Sequence, residues 1–130
     1  MIKPFVRFIA LISSVLTFTL NAVEFEKDWH TYSNYQEVVS THVVLDLDVN
    51  FDTKQLKGSI EHHLKYLRKG VQTLVLDTRD LDIDKVESYR GGSWSETTFK
   101  LAKRDDVRGS KLTIELPRMT KRVKVFYNSR

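Results

Sequence analysis

Four histidines and no cysteine bound the chemistry open to this chain. The histidines are His30, His42, His62 and His63. A zinc-hydrolase centre carried on a helix needs two histidines four residues apart and a glutamate beside the first. That spacing puts both imidazoles on one face, and the carboxylate activates the zinc-bound water. No H-E-x-x-H occurs here. His62 and His63 are neighbours, and neighbours on a strand point to opposite faces, so the two do not grip one ion. His62 stands where the local alternation wants an apolar residue, which predicts a part-buried histidine hydrogen-bonded within a sheet. The lack of cysteine removes disulfides and thiolate metal sites.

The remaining polar constellations read as scaffold. Asp46 and Asp48 lie two apart on one strand face, a spacing open to acid–base work or calcium. Alternation alone already explains them as a solvated face opposite a core face. Asp77, Arg79 and Asp80 form a charged turn, with an ion pair across it expected at the rim and worth roughly 0–1 kcal/mol. Ser93 and Ser95 lack a nucleophile elbow. Gly91-Gly92 is followed by neither Lys-Ser/Thr nor a helix start, so it is no phosphate loop. Trp94 beside that turn is either a packing aromatic or, with Tyr89, a ligand face. No catalytic, cofactor-binding or metal-ligating residue is assigned.

The elements that must position these side chains are strands. In residues 43–51 the apolar positions are Val43, Leu45, Leu47, Val49 and Phe51, a period of two that predicts a buried odd-numbered face. Asp52-Thr53-Lys54-Gln55 reads as a turn. Residues 58–67 alternate again, with Ile60, His62, Leu64 and Tyr66 on one side, and Lys69-Gly70 closes them. Leu74-Val75-Leu76 is a short strand. Leu81, Ile83 and Val86 require a bulge to share a face. Gly91-Gly92 is a hairpin turn. Residues 111–116 and 122–127 read as a final pair across Pro117-Arg118-Met119-Thr120, and the last strand is expected to leave an open edge that invites association. A helix-like turn is placed near residues 35–39. Short strands at regular spacing predict an all-β fold, an antiparallel twisted sheet or sandwich.

Lys3 and Arg7, the apolar run of residues 8–20, and Ala22 follow the layout of a secretory signal peptide over residues 1–22, which predicts export to a periplasmic or secreted location. The run is short of the roughly 20 residues of a membrane span, so no membrane association is expected after cleavage; the alternative reading is an uncleaved membrane anchor. Residues 23–130, about 108 in all, then make one β domain of ordinary size. The formal charge is +4, and Lys3 and Arg7 supply two of those units. The remainder is ordinary and scattered, giving no reason to invoke nucleic acid.

Several segments resemble the start of the zinc aminopeptidases related to aminopeptidase N, especially the leukotriene hydrolase branch (peptidase family M1). Thr73-Leu74-Val75-Leu76-Asp77-Thr78-Arg79-Asp80-Leu81 looks like the family's most recognisable early signature. Ser33-Asn34, Glu37-Val38 and Thr41-His42 precede the first long strand as they do there. Val49-Asn50-Phe51 is similar to a valine, aspartate, phenylalanine run, and Leu56-Lys57-Gly58 to a leucine-any-glycine strand start. The resemblance runs from about Asp28 to Ser129. Trp29 and Tyr35 stand where many relatives have proline, and Asn50 replaces an acidic residue.

The resemblance implies a saddle-like β domain lying against a zinc domain. It implies a parent enzyme that releases N-terminal residues from peptides, with zinc and the catalytic residues held in a later catalytic domain that would be this chain's partner. It covers the first part of such an N-terminal domain, so the expected role is non-catalytic. Two other readings stay open: a self-contained exported β-sandwich binding module using Trp94 or Tyr89, and a small hydrolase built on the aspartates and histidines.

Overall fold

The computed structural model describes Glu26 and residues 28–129. The expected signal segment, residues 1–22, lies outside the described residues. The regular elements described are strands: β1 (Val38–Asn50), β2 (Gln55–Tyr66), β3 (Thr73–Thr78), β4 (Leu81–Arg90), β5 (Ser93–Glu96), β6 (Phe99–Leu101), β7 (Ser110–Glu115) and β8 (Arg122–Ser129). They form two antiparallel sheets, one ordered β1-β2-β8-β4-β5 and the other β3-β7-β6. The helix-like turn is a turn at residues 35–37 that leads directly into β1.

Alternation decides which side chains meet between the sheets. Val86, Val123 and Val125 from the large sheet bury against Leu74, Leu112 and Ile114 from the small one. Val38 and Leu116 close the ends, and Ile60, Leu64, Leu76, Ile83, Phe99 and Leu101 pack around them. The bulge required between Ile83 and Val86 is present, as a register shift between Ile83 and Lys85. It carries Val86 to the inner face, where it is fully buried. At the β4–β5 hairpin Arg90 pairs with Ser93, and Gly91 and Gly92 both have positive φ, of 58° and 87°. A two-residue loop of that hand matches the strand twist, and glycine takes it without steric cost.

Three expectations are corrected. The segments around β7 and β8 do not pair with each other. β7 sits between β3 and β6, whereas β8 lies between β2 and β4. The Pro117–Thr120 connection crosses from one sheet to the other, because each strand has an apolar inner row that must face the opposite layer. As a result β8 is the central strand of its sheet, and its predicted open edge does not exist. The edge strands of that sheet are β1 and β5 instead.

The third correction concerns burial. Val43, Leu45, Leu47 and Val49 do share the inner face, opposite His62, Ile60, Gly58 and Leu56. Yet Leu45 is 55% exposed and Leu47 39%, and Phe51 at the tip is 85% exposed. The small sheet has three short strands and covers β8 and β4, not the far half of the β1–β2 hairpin. A second bulge, between Ser40 and His42, also intervenes. It reverses parity along β1, so Val38 and Ser40 face inward on even numbers and Val43 onward on odd ones.

Candidate functional site

The outer face of the large sheet gathers most of the chemistry-bearing residues. Pairing sets Trp94 beside Tyr89, Tyr89 beside Arg122, Arg122 beside His63, and His63 beside His42, one row across all five strands. The next row runs Glu87, Lys124, Glu61 and Val44. The rows are straight because the four pairings hold the same register through this stretch. Each side chain points outward because its strand neighbours point into the core.

Glu61 is the hub. It is buried to 9% exposure and accepts from three cationic or ring donors. Arg122 Nη1 lies 2.8 Å from Oε1, His63 Nε2 3.0 Å from the same oxygen, and Lys124 Nζ 3.3 Å from Oε2. Burial alone would push the carboxyl up, but the hydrogen bonds and charges of Arg122 and Lys124 outweigh it and hold Glu61 below its ordinary value. The cations are shared with aromatic rings. The Arg122 guanidinium lies 3.9 Å from the Tyr89 centroid, and Lys124 Nζ lies 4.7 Å from that of Trp94. The two rings tilt against each other at 5.2 Å. Trp94 is therefore a packing aromatic that caps an ion network, its face already taken by two cations.

His62 points the other way. It is 8% exposed on the inner face, and its Nδ1 lies 2.9 Å from Ser40 Oγ. Burial pushes its imidazole down from the ordinary value. This is the hydrogen-bonded sheet histidine expected from the alternation, and it stands on the face opposite His63, as expected. Asp46 and Asp48 lie on the outer face of the exposed half of β1. The charged turn behaves differently from expectation. Asp77 accepts from the Thr31 hydroxyl and, at 2.9 Å, from the Tyr32 amide. Arg79 donates to the Val107 carbonyl at 2.6 Å, and Asp80 pairs with Arg104 at 3.1 Å. Asp77 fastens residues 31–32, while Arg79 and Asp80 both fasten the connection between β6 and β7, so among the described residues no ion pair spans the turn. Asn34 works similarly: its amide accepts from the Val75 amide and donates to the Thr73 carbonyl, closing part of the β3 edge.

Two clefts lie away from this face. One of about 870 Å³ separates the β2–β3 and β7–β8 connections, lined among others by Arg68, Lys69, Leu116, Arg118 and Met119. A smaller one, about 280 Å³, lies under residues 28–37 beside Arg68. Among the described residues, no three His, Cys, Asp or Glu side chains converge on a metal position. Sequence reasoning missed Glu61, Arg122 and Lys124. Their alternation was readable, but the pairing of β2 with β8, which brings them together, was not.

No family model matches the chain. Leucine aminopeptidase 2-2 of Scheffersomyces stipitis is 38% identical over 109 residues, covering 84% of this chain and 16% of that protein. Leucine aminopeptidase 2 of Vanderwaltozyma polyspora is 31% identical over 114 residues, covering 88% and 17%. The solved structure of yeast LTA4 hydrolase in complex with bestatin superposes with a TM-score of 0.71 at 29% identity, over 81% of this chain and 16% of that one. Native leukotriene A4 hydrolase from Saccharomyces cerevisiae gives 0.70 at the same identity. The chain thus spans 16–17% of the length of these relatives, and the matched part is their N-terminal region.

Proposed function

Because the chain is homologous to the N-terminal region of the leucine aminopeptidase 2 and leukotriene A4 hydrolase family, we propose that it serves as the non-catalytic N-terminal β domain of a zinc aminopeptidase. Such an enzyme releases N-terminal residues from peptides. The observation that carries the proposal is the far half of the β1–β2 hairpin, whose inner face presents Val43, Leu45, Leu47 and Val49 uncovered. A contiguous apolar face of this kind marks a surface built to be covered. In this reading it packs against the rest of the enzyme.

The described residues do not fit the zinc centre that the family implies, since no three ligand side chains converge among them. Zinc and the activated water then belong to the parent's catalytic domain, and this chain's own residues supply a scaffold. The Glu61 network stiffens the large sheet, and the sheet holds the hairpin in place. Residues 1–22, in the same reading, are an export signal removed before folding. Intact mass of protein recovered from an exported fraction checks that step: retention of those residues overturns it.

A graft tests the domain role. The chain replaces the matching residues of the Scheffersomyces stipitis enzyme, and hydrolysis of a chromogenic aminoacyl amide is measured. The expected result is an active chimera that loses activity when Leu45→Asp and Leu47→Asp are introduced together. The chain alone is expected to hydrolyse nothing. Activity of the chain alone, or a chimera indifferent to the double substitution, defeats the proposal.

A further inference from the structure

His42 and His63 face each other directly across the β1–β2 pairing, on the outer face of the large sheet. Their ring centroids are 5.0 Å apart, and the planes meet at 79°. Imidazole nitrogens bind first-row divalent ions at about 2.0–2.1 Å, and at a near-tetrahedral angle this sets two ligating rings roughly 5 Å apart, centre to centre. The centroid separation of the observed pair is compatible with that arrangement.

The second observation is how His63 is held. Its Nε2 lies 3.0 Å from Glu61 Oε1. A carboxylate has only lone pairs to offer, so Nε2 carries the proton and donates. That leaves the Nδ1 lone pair free. A carboxylate behind an imidazole is the arrangement that orients metal-ligating histidines and raises their basicity. Glu61 cannot swing away, because Arg122 and Lys124 grip both its oxygens. Its negative charge also answers the Arg122 guanidinium, which stands next to His63 in the same row. His42 is exposed, and among the described residues its ring nitrogens make no hydrogen bond.

From this geometry we propose that His42 and His63 form a two-imidazole site for a borderline-soft divalent cation, with Glu61 as the positioning residue behind His63. No third protein ligand joins them among the described residues, so solvent completes the coordination. Open positions make the site exchangeable, unlike a closed structural site. Imidazole ligation follows the order in which Cu²⁺ binds ahead of Ni²⁺ and Zn²⁺. The site is separate from the H-E-x-x-H type of centre, a motif this chain lacks.

The test is titration of the untagged chain with Cu²⁺, followed by calorimetry and by the nitrogen hyperfine pattern in electron paramagnetic resonance. One equivalent bound through two imidazole nitrogens is expected. His42→Ala, an exposed substitution that leaves thermal unfolding unchanged, lowers affinity at least about tenfold and reduces the pattern to one nitrogen. His63→Ala does the same. Glu61→Gln, checked for folding by circular dichroism, weakens binding by about 10–100-fold and alters the hyperfine pattern. His30→Ala leaves binding unchanged. Absence of binding, binding indifferent to His42→Ala, or binding lost in His30→Ala overturns the site.

Discussion

The sandwich body and the β1–β2 hairpin arm are made of the same kind of sequence and have opposite fates. Val123 and Val125 alternate with Lys124 just as Leu45, Leu47 and Val49 alternate with Asp46 and Asp48. In the body, Val125 is 3% exposed. In the arm, Leu47 is 39% exposed on the same inner face. Alternation thus specifies which face of a strand is apolar. Whether that face is dry depends on what lies over it. β8 has a strand on each side and the small sheet above it; among the described residues β1 has one neighbour and, along its far half, no cover.

The sharpest way to break this contrast is to place a charge on each surface. Val125→Asp puts an unpaired carboxylate between the sheets and is expected to cost more than about 4 kcal/mol, enough to prevent folding of a small domain. A denaturant titration reads it, and a loss below about 1 kcal/mol would mean the core is not where the burial places it.

Gly58 joins the two regions. It pairs with Leu47, and a Cβ built on it would sit 2.0 Å from the Asp46 carbonyl oxygen. Gly58→Ala is expected to push β1 off β2 at a cost of about 1–3 kcal/mol. Hydrogen exchange should show that cost in arm amides while the β4–β8 amides keep their protection. Uniform loss of protection would make the arm and the body one cooperative unit.

Acid acts on the body, through two neighbouring residues of β2. Burial depresses the His62 imidazole from its ordinary 6.5, so its neutral form stabilises the fold above that value and the contribution fades as pH falls. Glu61, despite burial, is held below 4.5 by Arg122 and Lys124. Its contribution is intact above 4.5 and is lost as pH drops through its lowered value. Both signs agree: stability should decline from near pH 6.5 downward, in two stages. A His62→Gln variant should lose the upper stage alone. An unchanged profile would remove His62 from that role.

The smallest effect belongs to the arm. Leu47→Asp in this chain should change stability by no more than about 0.5 kcal/mol, because the site is already wet. A cost of several kcal/mol in thermal or denaturant unfolding would show that the arm's inner face is covered in solution.

Much of this was legible in the residues. Period-two patterning and short apolar runs located β2, β3, β4, β7 and β8 to within a few positions, and β1 from Val43 onward but not its first five residues. Val86 demanded the bulge that is found, and Gly91-Gly92 announced the hairpin. His62 betrayed its burial by occupying an apolar position. β6 gave no signal, because three residues are too few to show a period. The Ser40–His42 bulge was equally silent, since it leaves no mark on either side's alternation taken alone.

By itself, then, the sequence determined the all-β class, the face each strand offers, the tight turns, and the absence of the H-E-x-x-H motif. These are local properties, fixed by side-chain period and backbone conformational preference. Only the tertiary structure decided that β8 is central rather than an edge, that its neighbours are β2 and β4 rather than β7, and that Glu61 meets Arg122 and Lys124. The same pairings set His42 against His63 and leave Leu45 and Leu47 bare. Strand order is chosen by the summed burial of both layers, a long-range quantity that no single strand carries in its own residues.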